Sequence, residues 1–186
     1  MEWTLTDPAI ASSPILDRYF LGVGRALCIA SHFEDKINHI VRVIQITDAI
    51  RAGSRHDDIR RVAMNYKRLW LDGAIKATAH ADDFVSASHF TTLNDAKESR
   101  NYIAHESASL GNLHFVTPEK VLERAHALAP HILTVAKGEC LVSQWSFEIC
   151  EREPAPSSFC TRYPYMILNW TLGELIDVAD LVDSPQ

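Results

Sequence analysis

Apolar residues in the first third of the chain recur in steps of three, four and seven: Leu16, Phe20, Val23, Leu27, Ala30, Ile37, Val41 and Ile44. Successive helical residues are turned by about 100°, so this spacing gathers them on one face. It predicts a long amphipathic helix over residues 15–50. Gly22 and Gly24 fall inside it and mark a place where it could kink. "RAGSRHDD" interrupts the pattern, and Ser54 followed by Asp57 has the spacing of a capping box. A second helix is predicted beyond it, carrying Ile59, Val62, Tyr66, Leu69 and Trp70 on one side.

Residues 77–92 are less periodic and read as a connection with some helix of its own. Thr92 and Asp95 can cap the next helix, which runs through "ESRNYIAHE" and stops near Gly111. Thr117-Pro118-Glu119 combines a capping hydroxyl, a proline in the first turn and an early acid, and opens a fourth helix in which Pro130 marks a kink or break. "EREPAPSSFCTRYP" reads as a linker, and "YMILNWTLGELIDVADLVD" after it is again amphipathic. Strand-like alternation is missing throughout. The predicted fold is all-α: a four- to five-helix up-and-down bundle over residues 1–153, a linker over 154–163, and a C-terminal amphipathic segment over 164–186 that packs on the bundle or on a dimer partner.

Composition narrows the class without naming an activity. A chain of 186 residues suits one domain with a substantial core. With 47% hydrophobic and 23% charged residues, wholesale disorder is excluded. No apolar run reaches the length of a bilayer span, and "MEWTLTDPAI" lacks the basic stretch and apolar block of a secretory signal, so a cytoplasmic protein is expected. Cys28, Cys140, Cys150 and Cys160 form no Cys-x-x-Cys pair and are read as reduced thiols.

Net charge is −6, from 18 Lys and Arg against 24 Asp and Glu, which argues against coating nucleic acid through bulk charge. The distribution is uneven. Six basic residues between Arg51 and Arg68 face only Asp57 and Asp58, and among them Arg60, Arg61, Lys67 and Arg68 are candidates for meeting phosphates. A solvated helix face accounts for the same run. Nine histidines raise the question of a metal. His32 and His39 are seven apart, His80, His89, His105 and His114 are scattered, and neither a His-Glu-x-x-His motif nor a Cys/His cluster occurs. No metal and no cofactor are expected.

The stretch that bears chemistry is Arg100-Asn101-Tyr102-Ile103-Ala104-His105. Asn101 and His105 are four apart and share a helical face, with Lys97 one turn earlier on the same stripe. Arg100 and His105 diverge by roughly 140°, so a pocket using both is awkward on one straight helix. A second copy across a two-fold axis would supply the missing partner, which favours a cleft shared between subunits. A further clue lies on the first helix. Phe20, Leu27 and Val41 hold one seven-residue register whose remaining member is Glu34. If buried there, its carboxylate needs a cationic or hydrogen-bonding partner, for which Arg100 and Lys97 are candidates; otherwise it lies at the seam's edge and reaches water.

The six-residue motif resembles the Arg-x4-6-His signature of HEPN domains, including the polar residue that often follows the arginine. The opening helix with "FEDKINHIVRVI" is similar to the family's first helix, and the likeness spans residues 15–150. The resemblance implies a four- or five-helix bundle with the motif on a late helix. It also implies a metal-independent endoribonuclease that works as a homodimer with a composite cleft, a toxin or defence component with RNA as substrate and a partner antitoxin or regulatory protein. Other members have lost the chemistry and bind RNA, nucleotide or a partner protein. Carried onto this chain, His105 exchanges protons with the ribose 2′-hydroxyl or the leaving 5′-oxygen. Arg100 holds the scissile phosphate, Asn101 orients His105 or bonds the phosphate, and Glu34 anchors Arg100. The sequence departs from the antitoxin-paired branch at Ser107, where a tyrosine is frequent, and this puts in doubt regulation through such a tyrosine.

Overall fold

The computed structural model describes residues 13–78, 86–110 and 116–179. Six helices make up the described chain: α1 (Pro14–Arg51), α2 (His56–Met64), α3 (Leu71–Thr78), α4 (Ala87–His105), α5 (Pro118–Glu151) and α6 (Ser157–Leu172). The fold is all-α, with no strand among the described residues. None of these helices is long and apolar enough to cross a membrane.

The four long helices alternate in direction, and side-chain contacts give the sense of each. Glu34 meets Arg100 and Tyr19 meets Ser107, so α1 and α4 run antiparallel. His89 packs on Trp145 and Tyr102 on His131, so α4 and α5 do the same. Glu139 meets Tyr163 while Arg25 bonds the carbonyl of Trp170, which sets α6 antiparallel to α5 and to α1. The centre of the molecule is α5, which packs on α4, α1 and α6.

Helix α1 has the bounds its periodicity predicts, and its two glycines leave it unbroken. Gly22 is there for contact: a Cβ on it would lie 2.8 Å from the carbonyl oxygen of Thr171 on α6. The second predicted helix is shorter than its apolar spacing implies. It starts at His56 behind Arg55, with no side-chain cap from Ser54, and ends at Met64. Tyr66, Leu69 and Trp70 lie in the link that follows, where Trp70 is exposed. The buried side chain of Asn38 organises that link. Its Oδ1 accepts from the Leu69 amide at 2.8 Å and from the Tyr66 hydroxyl at 2.7 Å, and its amide donates to the Leu69 carbonyl at 3.2 Å. These bonds replace the intrahelical ones that a longer α2 would have made. Helix α3 then forms where no helix was assigned.

Helix α4 begins earlier than Thr92 and Asp95 imply. Ser86 accepts from the His89 amide at 3.2 Å, and the His89 ring accepts from the Ser86 amide at 3.4 Å, a reciprocal cap. The helix ends at His105; Gly111 lies outside the described residues. Thr117 caps α5 as expected, and Pro130 does not break it. Arg152, in the left-handed conformation with φ 59°, terminates α5. The linker is shorter than residues 154–163, because α6 starts at Ser157. The C-terminal segment packs on its own bundle: Leu168 and Leu172 are fully buried and Ile176 nearly so.

Three helices come close together at Gly138 of α5, where an added Cβ would lie 2.5 Å from the Cβ of Ala96 and 3.2 Å from the Phe33 ring. The Ala96 atom is fixed to backbone and cannot step aside. Helix propensity alone favours Gly138→Ala by about 1 kcal/mol, whereas overpacking costs about 1–3 kcal/mol. The expected outcome is a net loss of up to about 2 kcal/mol, read as a lower urea midpoint; a higher midpoint would show that the three helices are not in contact there.

Candidate functional site

Leu93, Ala96, Ser99 and Ile103 give α4 an inward face set into the groove between α1 and α5. The motif turn at its end is held from both sides. The Tyr102 ring stacks on His131 of α5 with centroids 3.8 Å apart, and Ser99 lies 3.3 Å from the same imidazole. On the α1 side, the buried Tyr19 donates its hydroxyl to the Ser107 carbonyl at 2.6 Å. Burial, reinforced by the neighbouring Tyr102, pushes the Tyr19 phenol up to about 12, so it stays a donor. Ser107 is itself buried, with its hydroxyl bonded to the Ile103 carbonyl.

Arg100 leaves this helix toward α1 and places Nη2 2.8 Å from Oε2 of Glu34, a carboxylate only 8% exposed. Arg68, from the link after α2, approaches Oε1 of Glu34 at 3.5 Å and Asp35 at 2.8 Å. The two carboxylate oxygens are thus divided between two guanidinium groups. Nη1 of Arg100 donates to Oδ1 of Asn101 at 3.4 Å, a long bond that turns the Asn101 amide beside the arginine. Of the two partners open to Glu34 from sequence, Arg100 is the one engaged. Lys97 goes elsewhere: it meets Asp72 of α3 at 3.2 Å and Glu98 at 3.4 Å, and the Asp72 carboxylate raises its pKa.

His105 is the last residue of α4 and is exposed, with no hydrogen bond or ion pair among the described residues. Its helical position is turned by about 140° from that of Arg100, which meets Glu34. Ala104 is exposed too and does not join Ile103 on the apolar face. Among the basic candidates, only Arg68 is brought to Glu34 and Arg100. Arg60 and Lys67 are exposed, and Arg61 is paired with Asp58 at 3.2 Å. The described residues contain no group of three or more side chains able to hold a metal, and His80 and His114 lie outside them.

A second buried carboxylate escaped the sequence reading. Glu139 of α5 is fully buried and sits in an apolar stripe with Val135 and Val142, the same signal that singled out Glu34. Its Oε1 lies 2.7 Å from Nδ1 of His32 and 2.9 Å from the Lys36 ammonium, close contacts without aligned hydrogen-bond geometry. Its Oε2 accepts from the Tyr163 hydroxyl at 2.6 Å, and burial and this carboxylate push the Tyr163 phenol up. Lys36 also donates to Ser143, which donates to the Glu139 carbonyl. Open depressions flank the cluster: one of about 440 Å³ beside Cys28, Ser31 and His32, and one of about 400 Å³ beside Lys36, Ser143 and Phe147. The His32 side chain is half exposed.

No protein-family model matches the chain, and no curated protein or solved structure matches it significantly.

Two outcomes follow from the α1–α4–α5 geometry. Glu34→Gln removes the charge shared by Arg100 and Arg68 and should lower stability by about 1–3 kcal/mol in urea unfolding, with a double-mutant cycle coupling it to Arg100. An effect within error of zero, with no coupling, would show that the carboxylate is dispensable. The second outcome concerns His131, whose pKa burial holds below the ordinary imidazole value. The unfolded chain therefore binds a proton first on acidification, and the stability present above about pH 6.5 is lost as the pH falls. His131→Phe, which keeps a ring against Tyr102, should reduce the fall in melting temperature between about pH 7 and pH 5; an unchanged slope assigns the acid sensitivity to other groups.

Proposed function

We propose that this chain is a HEPN-type, metal-independent endoribonuclease of the cytoplasm, a toxin or defence component acting as a homodimer and restrained by an antitoxin or regulatory protein. The observation that carries the reading is the Arg100 guanidinium, fixed on the buried Glu34 and adjoining Asn101, on the same helix as an exposed His105. A guanidinium held in this way is pre-oriented for a phosphate, because its planar fork is stabilised before substrate arrives. The Arg68 side chain beside it extends the positive edge. In a dimer, the divergence between Arg100 and His105 is bridged by bringing two copies of α4 to one groove, where the RNA backbone lies.

In this mechanism His105 takes the proton of the ribose 2′-hydroxyl as the oxygen attacks the adjacent phosphorus. An imidazolium returns a proton to the departing 5′-oxygen. Arg100 and Asn101 hold the equatorial phosphate oxygens, where charge accumulates in the transition state. The products are a 2′,3′-cyclic phosphate and a free 5′-hydroxyl, and no metal-activated water takes part.

A second reading is a non-catalytic HEPN-like module that binds RNA, nucleotide or a partner protein. It is favoured by two features: the charge of Arg100 is already compensated by Glu34, and His105 has no described group to set its tautomer. RNA incubated with the purified protein and a chelator separates the two. Under the enzymatic reading, cleavage persists without metal and falls by about 100-fold or more in His105→Ala, with helicity unchanged by circular dichroism. Binding without cleavage, insensitive to that substitution, selects the module.

A further inference from the structure

Helices α5 and α6 meet through two neighbouring pairs of side chains. Tyr163 donates to Glu139 at 2.6 Å, and beside that bond the Cys160 thiol is near enough to Cys140 to help raise its pKa. The pairs are in register. Glu139 and Cys140 are consecutive on α5, while Cys160 and Tyr163 are one turn apart on the same face of α6. Antiparallel helices require the partner number to fall as the first rises, and it does, from 163 to 160. The Tyr163 bond therefore holds α5 and α6 in the register that sets Cys140 beside Cys160. Access is asymmetric: Cys140 is 4% exposed, whereas Cys160 is half-buried and faces an approach from solvent.

We propose that Cys140 and Cys160 form a redox-modification site, closed to an α5–α6 disulfide by exchange with a small thiol disulfide of the glutathione type. The thiolate of Cys160 attacks one sulfur of the reagent, forming a mixed disulfide and releasing one small thiol. Cys140, once deprotonated, attacks Sγ of Cys160 and expels the second. Two protein thiols are oxidised and one disulfide is reduced to two thiols, with both protons accounted for. Burial pushes the Cys140 thiol up to about 12, so the closing step is slow at neutral pH and accelerates as the pH rises. Cys140 and Cys160 are twenty positions apart in sequence, and the cross-link spans the short turn from Arg152 to Pro156. It staples α6 over Glu139 and constrains the unfolded chain. In a reducing compartment the pair rests as thiols, and oxidation marks a change in redox conditions.

The test uses the full chain with the exposed Cys28 and Cys150 replaced by serine, treated with oxidised glutathione. The proposal expects a product lighter by two hydrogen atoms, a non-reducing digest joining the Cys140 and Cys160 peptides, faster closure at higher pH, and reversal by excess thiol. The melting temperature of the oxidised protein should rise by several degrees. With Cys140→Ser added, the reaction should stop at a glutathione adduct on Cys160. A chain that retains glutathione on Cys160 without closing, or that reacts at neither thiol, overturns the proposal. The same linked peptide should appear in the oxidised wild-type chain, so refolding differences in the variants do not decide the result; its absence there also counts against the site.

Discussion

A carboxylate buried between helices cannot remain unpaired, because removing an ion from water costs several kcal/mol that only an opposite charge and hydrogen bonds can offset. Glu34 imposes that condition on the seam between α1 and α4. Arg100 answers it from α4, and Arg68 answers it from the link after α2. The link can deliver Arg68 because Asn38, one turn beyond Glu34, binds the backbone at Leu69. One ionisable residue in an apolar seam therefore fixes the position of the motif arginine and the path of the chain between α2 and α3.

Helix α1 performs this pairing twice on different faces. Glu34 is turned toward α4, while His32 and Lys36, two residues to either side, are turned toward Glu139 of α5. The two clusters have opposite plans. On the α4 side a carboxylate of α1 receives two arginines; on the α5 side a carboxylate from elsewhere receives a lysine, an imidazole and a phenol. Because α1 contributes to both, its register against α4 and α5 is tied to polar geometry as well as to apolar packing. That makes its middle turns the part of the bundle least tolerant of a rotation.

Much of the fold was legible in residue spacing. The limits of α1, the Thr117 cap of α5 and the all-helical class follow from periodicity and capping chemistry, which act over a few residues. The heptad register of α1 left open whether Glu34 is buried, and that register drifts along the helix. A seven-residue step falls short of two full turns by about 20°, so Phe20 and Leu27 lie at the exposed edge while Glu34 and Val41 have rotated inward. The end of α2 and the start of α3 were not legible, since the residue that decides them, Asn38, is distant in sequence and acts only once α1 is packed.

The sequence by itself determined which residues are chemically able to act: a guanidinium, an amide and an imidazole on one helix, with a carboxylate on another that needs a partner if it is buried. Which of Arg100 and Lys97 met Glu34 was decided by tertiary structure, because both are long cations on α4 and only their directions relative to α1 and α3 separate them. The same holds for Glu139, His32, Lys36 and Tyr163. Local periodicity could identify each as a polar residue on a helix, but the distances that make them one cluster exist only when α1, α5 and α6 are packed together.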